Sequence, residues 1–280
     1  MWKESYQLGI EKIDAQHKKL FEAVWELLRE TEGENRPEIY KQIIQFLNEY
    51  VVVHFRDEEE YFKSTGYADQ EGHKKQHMEL TKQVEKYAVQ LEEAEYDLSV
   101  VKKFAGMLSA WLVYHVVGED LKYVEGTQQE SVHKQSSYIG YFTNSMIQVL
   151  ETMAGVSSEN IQKETIYDDL SVGDIFIEIE LVGDLKGRVV FGFTKEFALQ
   201  LVEAMMSFAP PEVDELVCSA LSEVSNIASG NGTIAISSEG IACDICPPRI
   251  LQNGLSICRT DGKMKIDTPI GTVTIAVYLD

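Results

Sequence analysis

Cysteine is scarce and one-sided in this chain. Only four occur in 280 residues, Cys218, Cys243, Cys246 and Cys258, all in the back half. That is too few for a disulfide framework and fits a reducing compartment. Histidine is also rare, six in all, and none follows His133. Positive charge is the larger deficit: 25 Lys and Arg stand against 46 Asp and Glu, a net charge of −21. The front, up to about residue 135, carries −9 and the back −12, so the acidity is no tail. Such a surface disfavours non-specific binding to nucleic acid or to anionic membrane, and permits a partner with a basic patch. No apolar run approaches the roughly 18 residues of a membrane span. The opening MWKESYQLGIEKIDAQHK has no signal-peptide hydrophobic region. The expected setting is the cytoplasm, with no nucleic acid or membrane as partner.

Apolar residues are plentiful, at 44%. The length suits two domains, each with its own core. Residues from about 11 to 123 repeat apolar side chains at three- and four-residue spacing, as in KLFEAVWELLRE, YKQIIQFLNEYVVVHF, HMELTKQVEKYAVQLEEA and VKKFAGMLSAWLVYHVV. Breaks fall between Thr31 and Pro37, between Ser64 and Tyr67, and around Asp97. The expectation is an all-α antiparallel four-helix bundle over residues 1–125, with residues 1–10 as an irregular arm and Trp2 packed on the bundle. Residues 126–137 are polar, include His133, and read as a linker. Residues 138–280 read as α+β. Helices are expected over 138–155, at KEFALQLVEAMMSF, and from Val213 to about Ile236. IFIEIELV and GRVVFGFT alternate around Gly183 and Gly187 as a hairpin, and IACDICPP, KMKIDT and TVTIAVYL read as further strands.

Five of the histidines lie in the bundle. His54 and Glu58 are four residues apart, about 40° around a helix, as are His73 and His77. His17 comes from the first helix and His115 from the fourth, so every helix supplies a ligand-type side chain. As independent core residues these would be costly buried polar groups. Five imidazoles with carboxylates and no thiolate exceed one tetrahedral zinc site and suit two bridged ions, iron first, with manganese and zinc as alternatives. His115 is five residues from Asp120, about 140° on a regular helix, so spacing alone favours Glu119. Glu59 and Glu60 read as a solvated run.

IDAQHKKLF, HFRDEEEYF, GHKKQH and HVVGED resemble the ligand segments of the bacterial hemerythrins. The resemblance implies a non-haem diiron centre, oxo- or hydroxo-bridged when oxidised, with O2 as its ligand. His73, His77 and His115 would hold one iron and His17 and His54 the other, with Glu58 and Asp120 as bridges. It favours Asp120 over Glu119 and requires the two ligands to straddle the site or the helix to distort near Gly118. Trp111, Leu112 and Val116 flank His115 and would wall an apolar O2 pocket.

In VDELVCSALSEVSNIASGN the apolar stripe is Val217, Ala220, Leu221, Val224 and Ile227, with Ser219, Ser222, Glu223 and Asn226 opposite. Together with TNSMIQVLETMAGV and CDICPPRIL, the back half resembles the CheX phosphatases of the CheC-type family. The family signature is met by Ser219, Glu223 and Asn226. The resemblance implies hydrolysis of the phospho-aspartate of a CheY-like response regulator, with Mg2+ and a lysine supplied by the regulator. Asn226 would orient the water and Glu223 would pair with that lysine, with no covalent enzyme intermediate. The family's second helix copy would place Glu151 opposite Glu223 and Ala154 opposite Asn226, leaving one active helix per subunit. Homodimers through the CheX-like domain are implied as well. Cys243 and Cys246 are three apart in a strand, point to opposite faces, and read as packing.

The resulting expectation is an oxygen- or redox-sensing diiron domain regulating a response-regulator phosphatase. The alternatives are O2 or iron storage and delivery, or diiron peroxidase chemistry, with the back half serving only to dock.

Overall fold

A computed structural model describes residues 2–122, 138–166, 173–251 and 261–280, apart from 34 and 68. The expected linker with His133, and Cys258, lie outside the described residues. The chain divides into two compact units, Met1–Gln128 and Gln129–Asp280.

The first unit is helical: α1 (Glu11–Glu30), α2 (Pro37–Thr65), α3 (Gln70–Glu93) and α4 (Leu98–Tyr114). Contacts run α1 to α2, α2 to α3, α3 to α4 and α4 back to α1, the closed ring of an up-down bundle. Local signals set the ends. Pro37 opens α2, where its missing N–H is no loss. Gly66 closes α2 in the left-handed conformation, φ 70°, donating its N–H to Phe62 O. The Asp97 carboxylate caps α4 by accepting from Ser99 N. The arm is pinned by Asp14, whose carboxylate accepts from Leu8 N at 2.7 Å and Gly9 N at 3.0 Å. Trp2 lies against Phe21 and Tyr6, ring centroids 5.7 and 5.9 Å away.

The stretch Leu98–Asp120 differs from the sequence expectation. It is long and apolar enough by composition to cross a membrane. It is the most enclosed helix of the bundle, with 72% of its most apolar window buried. At its end α4 passes into a π-helical turn, His115–Asp120.

The second unit is a seven-stranded antiparallel sheet of β1 (Gln162–Thr165), β2 (Ile175–Gly183), β3 (Gly187–Phe193), β4 (Cys243–Ile245), β5 (Arg249–Leu251), β6 (Gly262–Thr268) and β7 (Gly271–Leu279). The order is β1-β6-β7-β3-β2-β4, with β5 also paired to β2. Helices α5 (Tyr138–Ala154), α6 (Lys195–Met206) and α7 (Glu215–Ser238) contact the sheet or one another. The register aligns Ile177 with Phe191 and Phe191 with Ile275, all fully buried. The expected hairpin is present. Gly187 has φ 147° at its exit, where any Cβ would run into the Tyr278 carbonyl. Strands β1 and β5 were not legible in the sequence. β1, QKET, is exposed throughout and forms only by pairing with Met264–Asp267.

Candidate metal centre and phosphatase helix

The bundle brings all seven expected side chains together. His17 comes from α1, His54 and Glu58 from α2, His73 and His77 from α3, and His115 and Asp120 from the π-helical turn. None is more than 2% exposed. His17 Nε2 lies 3.2 Å from His54 Nε2, and His77 Nε2 lies 3.1 Å from His115 Nε2. Glu58 Oε2 is 3.1 Å from His77 Nε2 and 3.4 Å from His73 Nε2. Asp120 Oδ2 is 3.2 Å from His17 Nε2, and its Oδ1 is 3.3 Å from both His73 Nε2 and His115 Nε2. Atoms able to bind a metal fall into two groups, Glu58 with His73, His77 and His115, and Glu58 with His17 and His54. Glu58 belongs to both.

The electrostatics favour a cation. Burial lowers the pKa of His17 to about 4 and of His54 to about 3, and takes His115 well below the usual value. These three imidazoles are therefore neutral at pH 7, and neutral imidazole is the form that ligates. Burial pushes the Glu58 carboxyl up, but hydrogen bonds with His115, His73 and His77 outweigh it and hold it well below normal. Burial, then the neighbouring Glu58, drives Asp120 well above normal. Both Asp120 oxygens are buried with no hydrogen-bond partner. A donorless buried carboxylate facing imidazole nitrogens is costly unless a cation lies between them, so the residues fit a metal site.

Aromatic side chains lie against two of the imidazoles. The Trp111 ring stacks on His115 with centroids 4.2 Å apart, and Phe55 stacks on His77 at 3.7 Å. Leu112 and Val116 are buried. Glu59 corrects the sequence reading: it is not part of a solvated run, because its Oε1 sits 3.2 Å from His77 Nδ1. On α1, Gln16 places Oε1 3.4 Å from His54 Nδ1 and donates Nε2 to Asp57 at 2.7 Å, and Lys12 pairs with Asp57 at 2.9 Å. Such outward partners orient metal-binding imidazoles. No periodicity within one helix reveals Glu59 or Gln16, because each reaches an imidazole on a neighbouring helix.

In the second unit α7 carries Ser219, Glu223 and Asn226. Asp214 caps it, accepting from Leu216 N and Val217 N. The helix contacts α5, α6, β2, β4 and β5. It lies tight on α5, since a Cβ on Gly232 would come within 2.6 Å of the Phe142 ring. Packing on several sides buries more than the apolar stripe. Ser219 is 9% and Glu223 5% exposed, whereas Asn226 is half-buried. Glu223 is thus enclosed although it lies opposite the apolar stripe. Glu151 instead accepts from Ser158 N.

A family model described as the hemerythrin HHE cation binding domain matches residues 8–125. The bacteriohemerythrin of Clostridium acetobutylicum is 33% identical over 129 residues, 45% of this chain and 98% of that protein. The chain belongs to the hemerythrin family. A CheX-like domain follows the hemerythrin domain: the model described as chemotaxis phosphatase CheX matches residues 175–267. The CheY-P phosphatase CheX of Thermotoga maritima is 25% identical over 109 residues, 39% of this chain and 70% of that protein. A crystal structure of chemotaxis protein CheX from Vibrio vulnificus is 21% identical, covers 52% of this chain and 100% of that one, and gives a TM-score of 0.46.

The two family models thus fall on the two halves that the sequence motifs pointed to. In the CheX-like half, Cys243 lies in β4, while Cys246 follows it and donates its N–H to Glu180 O. Among the described residues no cysteine joins a group able to hold a metal. In the hemerythrin half, Glu119 is turned away from the cluster. Its carboxylate meets Lys122 Nζ at 2.7 Å and accepts from Gln76 Nε2 at 3.1 Å.

Proposed function

We propose that the hemerythrin half is a diiron sensor of O2 or redox state, and that it regulates phosphatase activity in the CheX-like half. The observation that carries the sensor reading is the buried set of five imidazoles around Glu58 and the donorless Asp120. His73, His77 and His115 would hold one iron and His17 and His54 the other, with Glu58 and Asp120 shared. When bound, the iron pair supplies redox-active chemistry with O2. The chain's own residues do the rest. Glu59 and Gln16 orient His77 and His54 from outside. Trp111 and Phe55 lie against the imidazole faces, and with Leu112 and Val116 they keep water from the cluster.

In the CheX-like half the proposed substrate is the phospho-aspartate of a CheY-like regulator, as the name of the Thermotoga relative suggests. The regulator brings Mg2+ and a lysine. Asn226, with both a donor and an acceptor, orients the attacking water in line, and positioning is most of what phosphoryl transfer asks of the protein. Glu223 pairs with the regulator lysine and fixes the docking pose. Pairing of two copies through the CheX-like half belongs to the same proposal.

The test is the dephosphorylation rate of a phosphorylated CheY-like regulator, measured with anaerobic diferrous protein and again after exposure to O2. A severalfold change between the two states is expected. Equal rates would overturn the regulatory reading. Asn226→Ala should slow dephosphorylation about 100-fold or more while leaving the iron spectrum intact. Undiminished activity in that variant would overturn the catalytic assignment.

A further inference from the structure

Two registers compete at the end of α4. On a regular α-helix the residue about 40° from His115 is Glu119, and Asp120 is turned away. The segment His115–Asp120 is π-helical instead. Its wider turn brings Asp120 back over His115, with Oδ1 3.3 Å from His115 Nε2. One extra residue in the turn thus decides which of two adjacent carboxylates enters the cluster. Turns of this kind are uncommon and need local support.

The support is visible. Glu119 is 9% exposed, yet it points out of the cluster. It accepts from Gln76 Nε2 at 3.1 Å and pairs with Lys122 Nζ at 2.7 Å. Gln76 stands on α3 between His73 and His77, so this tether joins the π-helical turn to the helix that carries two of the imidazoles. Lys122 lies two residues beyond Asp120.

We propose that Glu119 is the positioning residue that selects the π register. Held by Gln76 and Lys122, it stays out of the cluster and leaves Asp120 facing the imidazoles. This inference rests on the diiron reading of the same site. Without the tether the segment can relax toward α-helix, swinging Asp120 off the cluster and offering a longer carboxylate in its place.

The experiment uses the full chain loaded anaerobically with Fe(II). Iron release to a chelator, the visible spectrum after O2 exposure, and amide hydrogen exchange over residues 115–122 are measured for the parent and for Glu119→Ala, Glu119→Gln, Gln76→Ala and Asp120→Ala. Glu119→Ala is expected to release iron about 10- to 100-fold faster, with a shifted spectrum and faster exchange confined to that turn. Glu119→Gln, which can still accept from Gln76, should recover much of the loss. Gln76→Ala should reproduce part of it, and the Glu119→Ala/Gln76→Ala double variant should be no worse than Glu119→Ala alone. Parental release, spectrum and exchange in both Glu119→Ala and Gln76→Ala, with Asp120→Ala iron-deficient, would overturn the register proposal alone. Full iron and an unaltered spectrum in Asp120→Ala would overturn the placement of Asp120 as a shared ligand and the register proposal with it, whereas a parent chain that takes up no iron would overturn the diiron reading itself.

Discussion

The two halves spend their interiors differently. The hemerythrin half buries five imidazoles together with Glu58, Asp57, Glu119 and Asp120, contributed by all four helices. Among the described residues, the CheX-like half buries no imidazole and only two carboxylates, Glu178 and Glu223. Its centre is aliphatic and aromatic: Ile177, Ile179, Val189, Phe191, Phe193, Ile275 and Val277. Polar groups in a core cost free energy unless something satisfies them, whereas apolar ones stabilise it. The proposed iron would offset that cost in the first half, a demand that the described core of the second does not make. The first half's candidate chemistry sits at the centre of the fold, while the second half carries its own on one helix beside an apolar core.

The sharpest way to break that contrast is to attack the apolar core. Phe191 is fully buried and lies opposite Ile177 and Ile275. Phe191→Ala should cost the CheX-like half about 3–5 kcal/mol, read as a lowered unfolding midpoint. Iron content and spectrum should be untouched. A loss of iron in that variant would show that the bundle leans on its neighbour.

The next effect belongs to the bundle alone and appears when metal is stripped by a chelator. His17 and His54 have pKa values lowered to about 4 and about 3, against about 6.5 in the unfolded chain. Their contribution to stability is present above the unfolded value. It is lost as pH falls through 6.5, because the unfolded chain then takes up protons that the folded chain refuses. Asp120, pushed up by burial and by Glu58, works in the opposite direction but is one group against three imidazoles including His115. The metal-free bundle should lose about 2 kcal/mol between pH 7.5 and 5.5. The CheX-like half, lacking histidine beyond His133, should show no such slope. Scanning calorimetry at the two pH values checks both, and a flat bundle transition would contradict the burial of neutral imidazoles.

How much of this was legible in the sequence follows from which interactions are local. The pairs His54–Glu58 and His73–His77 obey a helical repeat and could be read directly. So could the Gly183–Gly187 hairpin and the helix break around Asp97. The relation of His115 to Asp120 could not, because no 3.6-residue period places them together and the π-helical turn is held partly from α3. Glu59 and Gln16 were invisible as partners for the same reason, since each reaches across a helix pair. Strand β1 has no apolar alternation, and its pairing with β6 is what makes it a strand. The burial of Glu223 reflects the packing of α7 on several neighbours, which a single helical wheel does not contain.

The smallest effect tests the contrast most finely. Each half has a helix capped by an aspartate: Asp97 accepts from Ser99 N at the start of α4, and Asp214 from Leu216 N and Val217 N at the start of α7. Replacing either by Ala should cost about 1 kcal/mol. The two caps hold comparable helices, since α4 leads to His115 and Asp120 while α7 carries Glu223 and Asn226. If the halves share no free energy, Asp97→Ala lowers only the bundle's midpoint and Asp214→Ala only the other, and the double variant adds. If iron state and phosphatase are coupled, part of each shift appears in the opposite transition, and it does so differently with and without iron. Regulation of the proposed kind needs a coupling of about 1–3 kcal/mol, comparable to a single cap. Two cap substitutions therefore suffice to measure it, because neither replaces a ligand of the cluster or a member of the Glu223–Asn226 pair.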